Sequence, residues 1–333
     1  MTSIALGMPG IRQSGSPASA FTWFDVATDP AGWETLASRT VPGMFHRQPL
    51  LKAHAYGNGR PVGIVLQREG GPPVALGAVL RETPRRSLQL LSFPALAATA
   101  DPELACRLVD WLRMEGIAEV RIGSFTSGAE GYRRPPAATI QERLEFVWDL
   151  GGGTEQRFRA LGSGHRRNLR KLLQRDLAIR KIGSWPAERM AWQHVAWARC
   201  RGQERPLAQL LQFYRYYRTL DRTLTRSGIG HLYGLYDRAG TLLSHAYMLE
   251  CDGMAFYMIG ASSPAGYRLN ASLRLFWELG ELYVRRGFGV LHFGGVPADA
   301  ISKNHDEYGL FRFKTGFGIE PVSRISLSIK NEE

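Results

Sequence analysis

Two tandem α/β (α+β) domains, each a mixed and mostly antiparallel sheet flanked by helices, are the fold class this sequence predicts. Three observations carry that expectation. The chain has 333 residues, about twice the usual domain length. A glycine triplet, Gly151-Gly152-Gly153, breaks it near the middle. The same order of elements, β-β-β-α-β, then an irregular stretch and a last strand, is read on both sides of that break.

The elements follow in chain order. Residues 1–20 are rich in Gly, Ser, Pro and Ala and are expected to be disordered. Val62–Arg68 and Val74–Arg81 read as strands around the turn Glu69-Gly70-Gly71-Pro72-Pro73, and Leu88–Leu91 reads as a third. Leu104, Leu108, Trp111 and Leu112 recur at helical spacing within Pro102–Glu115, with Gly116 as the C-terminal cap. Val120–Ile122 and Leu144–Leu150 are further strands. The expected domains are 21–152 and 153–333.

The second half opens with a basic stretch, 154–181, read as helical. Helices at Ala187–Arg201 and Leu207–Arg226 come next. Strands are expected at His231–Tyr236, Leu242–Glu250 and Met254–Gly260, with turns at Asp237-Arg238-Ala239-Gly240 and Cys251-Asp252-Gly253. A helix over Arg268–Arg286 carries the apolar face Leu269, Leu273, Phe276, Gly280 and Tyr283, and Gly287 caps it. Val290–Phe293 is a buried strand, and Ile319–Ile329 closes the domain. In this order the third and fourth strands are parallel neighbours. Where they splay apart, backbone N–H and C=O groups face a ligand.

Composition narrows the function classes. A hydrophobic fraction of 44% suits a packed core without staples. The net charge of +12 favours anionic partners, namely nucleic acid, phosphorylated cofactors, acidic glycans or an anionic membrane surface, without choosing among them. Cys106, Cys200 and Cys251 are too few and too far apart for a disulfide framework or a cysteine zinc site, which fits a reducing cytoplasm. His292 and His305 lack metal-ligand spacing, so no metal is expected. No stretch reads as a signal peptide or membrane span, which leaves a cytoplasmic protein with peripheral contact to the inner membrane open.

Two segments carry a resemblance. One is Gly287-Phe288-Gly289-Val290-Leu291-His292-Phe293-Gly294-Gly295 followed by Gly309-Leu310-Phe311-Arg312-Phe313-Lys314-Thr315-Gly316-Phe317-Gly318. The other is the basic run Gly162-Ser163-Gly164-His165-Arg166-Arg167-Asn168-Leu169-Arg170-Lys171. Together they resemble the FemAB family, GNAT-like acyltransferases of bacterial envelope and polysaccharide biosynthesis, over about residues 155–325. His292 departs from that family's pattern, which has an acid at this strand position.

The resemblance implies two GNAT-like domains and a reaction that moves an acyl group from an activated donor to an amine or hydroxyl of a cell-wall, polysaccharide or small-molecule acceptor. It implies Lys314 as the cation that stabilises charge at the reacting carbonyl, with Phe313 packed beside it. The Gly294-Gly295 turn permits close approach of a ligand. Glu307 and Tyr308 are candidate proton carriers because they precede the motif most closely in a polar loop with Asp299, His305 and Asp306. Arg166 and Arg170 are candidate contacts for an anionic donor.

Ordinary GNAT domains hold the coenzyme A pyrophosphate on a glycine-rich helix start. The corresponding stretch here, Arg268-Leu269-Asn270-Ala271-Ser272-Leu273, keeps the arginine and lacks both glycines. Acyl-CoA and aminoacyl-tRNA therefore both stand as donors, with Arg268 a substrate-binding candidate. Arg215, Arg218, Arg222 and Arg226 share a helix face beside Phe213, Tyr214, Tyr216 and Tyr217. That pattern suits either phosphate contact with base stacking or a solvated basic face on an aromatic-packed helix. A non-catalytic nucleic-acid-binding module and a degenerate partner in an envelope-synthesis complex are the alternative functions. The sequence is silent on oligomeric state.

Overall fold

The structure is a computed structural model. It describes residues 11–12, 20–40, 44–68, 72–82, 85–94, 101–126, 129, 131–183, 187–199 and 206–330. Two compact units emerge, Met1–Arg143 with Arg324–Glu333, and Leu144–Ser323. The division falls before the glycine triplet, and the last strand belongs with the first unit, so the 21–152 and 153–333 limits expected from the sequence are not the ones drawn by packing. Most of the Gly/Ser/Pro-rich leader lies outside the described residues. Ile11–Arg12 (β1) within it pairs antiparallel with Phe21–Phe24 (β2).

In the first unit, helices α1 (Pro30–Thr40) and α2 (Gln48–His54) precede β3 (Gly59–Leu66), β4 (Val74–Arg81) and β5 (Ser87–Leu90). These strands are antiparallel neighbours, and β3 and β4 are buried in unbroken runs, on both faces. Part of the turn between β3 and β4, Glu69-Gly70-Gly71, falls outside the described residues. Helix α3 (Leu104–Met114) buries Leu104, Leu108, Trp111 and Leu112, the stripe its spacing predicts. It crosses over to β6 (Glu119–Ile122), which runs parallel to β5. Beside β6 lies β13 (Val322–Lys330), antiparallel to it, with Leu327 opposite Ile122.

The second unit contains β7 (Thr139–Asp149) from Leu144 onward. The stretch expected to be helical over 154–181 divides into three: α4 (Thr154–Ala160), α5 (Ser163–Leu173) and β8 (Leu177–Lys181). Gly162 separates the helices in an extended conformation, and Leu177–Lys181 pairs with the next strand instead of continuing the helix. Helices α6 (Ala187–Arg199) and α7 (Leu207–Leu220) follow, and α7 loosens into a π-helical turn at Asp221–Thr225.

The strands β9 (Gly230–Asp237), β10 (Leu242–Cys251) and β11 (Met254–Ser262) form the expected antiparallel meander. The helix expected over Arg268–Arg286 is two, α8 (Pro264–Leu269) and α9 (Ala271–Arg285), because Asn270 turns left-handed at φ 57° between them. β12 (Val290–Pro297) then runs parallel to β11, and α10 (Tyr308–Thr315) completes the unit. Strand order is β7-β12-β11-β10-β9-β8. The core on the α9 side is aromatic: Trp148 packs against Trp277, Phe293 and Phe317, and Phe276 against Tyr257 and Phe293.

Candidate active site

β11 and β12 are paired over three residues, Met254 with Val290, Ala255 with Leu291 and Phe256 with His292. Both strands continue beyond the last pair, to Ser262 and Pro297. Past Phe256, β11 is only partly buried. Ladder groups that no longer meet one another across this gap are the polar backbone a ligand would use.

Gly294 and Gly295 lie just past the last pair. Gly294 adopts φ 70°, a conformation that favours glycine. Its N–H donates to Nδ1 of His292 at 2.9 Å. Nδ1 is therefore the acceptor nitrogen, and Nε2 of the same ring, 3.1 Å from Oε2 of Glu145, carries the proton and donates to that carboxylate. His292 and Glu145 are each 1% exposed, and Phe256 stacks on the imidazole with centroids 4.7 Å apart. Burial of two polar groups is tolerated because the ring uses both nitrogens.

Lys314, in the last turn of α10, is 3% exposed. Its Nζ donates to the Gly295 carbonyl at 3.0 Å and sits 5.3 Å from the centroid of Phe146. The ammonium group thus lies against β12 three residues past the last β11–β12 pair. Long buried cations are expensive unless held by acceptors, so the placement is structurally specified.

The two motif segments, far apart in sequence, meet. Gly162 N–H donates to the Gly316 carbonyl at 2.8 Å. His165, on α5, places Nε2 3.0 Å from the Phe313 carbonyl, and its ring contacts Phe313 and Phe317 at 5.5 and 5.2 Å. Burial lowers the His165 pKa more than this hydrogen bond raises it, and Arg312 lowers it further. A methyl group at Gly316 would lie 2.4 Å from the His165 ring, so glycine is what permits the contact. Phe313 itself is half-buried against Phe276 and Phe317.

The remaining sequence candidates are placed as follows. Glu307 precedes α10, and its backbone N–H donates to Nδ1 of His305. Tyr308 opens the helix, and its hydroxyl accepts from Arg312 at 3.4 Å. Both lie at the helix end opposite Lys314, about 9 Å along the axis at 1.5 Å per residue. Arg166 donates to the Arg159 carbonyl, and Arg170 stacks over Phe158 at 5.4 Å with its outer face exposed. Arg268 is exposed in the last turn of α8.

On α7, Arg215, Arg218 and Arg222 are exposed while Tyr217 is fully buried and burial pushes the Tyr216 pKa up to about 12. The aromatic residues thus pack inward, the arginines form a solvated face, and base stacking by Tyr216 and Tyr217 is excluded. Glu145 was missed by sequence reasoning. Its partner is 147 residues away, and the alternation of β7, which turns Phe146 and Trp148 to one face, puts Glu145 on the other.

Lys314 lines neither of two open concavities in this unit. One, of about 270 Å³, lies beside Trp148, Arg157, Phe317 and Gly318. The other, of about 430 Å³, lies beside Asp176, Asp237 and Arg238. Among the described residues there is no cluster of three metal-ligating side chains, and no helix is long and apolar enough to cross a membrane.

Residues 159–314 match the acetyltransferase (GNAT) domain family. No curated protein matches the sequence. Among solved structures, FemX superposes with a TM-score of 0.69 at 12% identity, covering 90% of this chain and 95% of its own. A tandem GNAT protein from the clavulanic acid biosynthesis pathway gives 0.53 at 14% identity, covering 94% and 98%. L-PGS from Bacillus licheniformis gives 0.53 at 12% identity, covering 92% and 93%. These likenesses speak for the fold, and the family match runs from before the basic segment of α5 up to Lys314. Residues 159–314 thus carry a GNAT acetyltransferase domain, in a chain whose fold is like that of FemX and a tandem GNAT protein.

Proposed function

We propose that this acyltransferase takes an aminoacyl or acyl group from a polyanionic donor, aminoacyl-tRNA ahead of acyl-CoA, and passes it to an amine of a cell-wall or polysaccharide precursor. The observation that carries the reading is the seat of Lys314: a buried ammonium group held by the Gly295 carbonyl where β12 has left β11.

A carbonyl entering that gap is attacked by the acceptor amine. The C–N bond forms, the carbonyl electron pair moves onto oxygen, and the Lys314 ammonium stabilises that oxyanion in a site of low dielectric. Collapse expels the donor's ribose hydroxyl or thiol, which takes up a proton as the acceptor nitrogen loses one. Glu307 and Tyr308 are the proposed carriers of that proton.

The preference for tRNA rests on two features of this chain. Helix α5, bonded to the Lys314 segment through Gly162 and His165, exposes Arg167, Arg170 and Lys171. A helix presenting several cations binds a phosphate backbone. Where a pyrophosphate cradle would need glycines, α9 starts with Ala271, which is fully buried, and Leu273, 2% exposed. The resemblance of the motif segments to acyltransferases of bacterial envelope biosynthesis motivates a UDP-linked muropeptide as the first acceptor to try.

The test is a thermal-shift panel of coenzyme A, acetyl-CoA, long acyl-CoAs, aminoacyl-tRNA and UDP-linked muropeptides, followed by transfer assays. Stabilisation by aminoacyl-tRNA and not by coenzyme A is expected, since a ligand that binds the folded chain raises its melting point. Stabilisation by acyl-CoA alone reverses the order of donors. Transfer that survives Lys314→Ala unchanged refutes the site.

A further inference from the structure

His292 occupies the strand position where the motif leads one to expect an acid, yet the position is not idle. Glu145 Oε2, His292 Nε2, His292 Nδ1 and Gly294 N–H form one continuous line of hydrogen bonds of 3.1 and 2.9 Å. The residue after Gly294 supplies the carbonyl that holds Lys314 Nζ at 3.0 Å. The acceptor at Nδ1 exists only while the ring proton stays on Nε2, and Glu145 is the group that keeps it there.

We propose that Glu145 and His292 are positioning residues for the transfer reaction: they fix the Nε2–H tautomer, and through it the left-handed turn at Gly294 that aims the Gly295 carbonyl at Lys314. This rests on the reading of Lys314 given above. Neither side chain touches a substrate, because both are 1% exposed. Their effect is geometric. Loss of the Nδ1 acceptor frees the Gly294 N–H, the turn relaxes, and the ammonium group loses its fixed seat. A displacement of about 1 Å at such a seat costs on the order of 100-fold in rate.

Three variants and one spectrum test this, with aminoacyl-tRNA as donor and a UDP-linked muropeptide as acceptor. His292→Leu removes the acceptor and is expected to lower kcat 10- to 100-fold while the donor KM changes less than threefold. His292→Asn places an amide oxygen near the position of Nδ1 and is expected to recover most of kcat. Combining His292→Leu with Lys314→Ala is expected to be no worse than Lys314→Ala alone, because residues acting through one group are not additive. Nitrogen NMR of the histidine-labelled wild-type chain is expected to show His292 with Nε2 protonated and Nδ1 bare.

A ring protonated at Nδ1 overturns the proposal without any activity being measured. So does full kcat in a folded His292→Leu protein, or a loss that multiplies with that of Lys314→Ala. If instead Lys314→Ala is fully active, it is the Lys314 reading that fails, and the tautomer result separates the two failures.

Discussion

Among the described residues, each unit has a parallel pair of strands joined by a helical crossover, α3 between β5 and β6 and α8 with α9 between β11 and β12, and the two pairs are finished differently. In the first unit all four residues of β5 pair with β6, and the backbone goes on bonding beyond the strand ends: Gly123 N–H donates to the Leu90 carbonyl at 2.8 Å and Phe125 N–H to the Leu91 carbonyl at 3.3 Å. In the second unit the ladder stops at His292, with further strand residues still to come on both sides. One topology therefore gives a sealed seam and an open one. The open one has the charged side chain. Topology alone does not make a site; an interruption in backbone pairing does, once a cation is brought to it.

The largest expected effect is the response of each unit to acid. Burial pushes the His46 and His54 pKa values down to about 4, with Arg81 adding to the effect at His54, and it pushes His245 down to about 3. A histidine whose folded pKa is depressed binds its proton better in the unfolded chain. Its stabilising contribution is complete above about pH 6.5 and is lost as pH falls toward the folded value. From pH 7 to pH 5 each such group costs about 2 kcal/mol. The first unit, with two of them, should lose about 4 kcal/mol, and the second should lose stability too, since burial lowers His165 and His231 there as well as His245. Hydrogen exchange of peptides from each unit across a urea series at both pH values reads this directly, and a first unit equally stable at pH 7 and pH 5 would contradict it.

Lys314→Ala should come next, with transfer reduced 100- to 1,000-fold, the scale set by removing one preorganised oxyanion contact. Single-turnover kinetics with saturating donor separate this from a binding defect. Closing the comparison from the other side, Gly123→Ala should damage the sealed seam. The added methyl would stand 2.4 Å from the Leu91 carbonyl, so the strands must part, at about 2 kcal/mol. Its melting point should drop while transfer below that temperature stays within twofold of wild type.

His165→Ala should have the smallest effect on stability, about 1 kcal/mol for one hydrogen bond to the Phe313 carbonyl. Because that bond ties the basic helix to the Lys314 segment, the donor KM should rise more than kcat falls. A kcat loss equal to that of Lys314→Ala with unchanged KM would argue that α5 does not carry the donor.

Much of this was legible in the sequence because it is written in local periods. The meander β9–β11, the apolar stripe of α9 and the parting of the parallel strands follow from alternation, helical spacing and glycine placement. Lys314 was found through the motif around it. What stayed hidden depends on partners distant along the chain. Glu145 is one of several acids on β7 until β12 lies beside it with His292 opposite. Leu177–Lys181 reads as the tail of a basic helix until β9 offers it an edge. Asn270 looks like an ordinary helical position, and only its left-handed backbone reveals that a helix begins there.

The pairing of β13 with β6 has a further meaning for biosynthesis. Leu327 meets Ile122 across about two hundred residues of intervening chain. A ribosome makes the first unit's helices and first six strands early and delivers its final strand only after the whole second unit has emerged. Until then β6 presents an unpaired edge, the kind of surface that recruits foreign strands. The half of the molecule begun first is the half finished last, and its quality control falls to whatever shields that edge in the meantime.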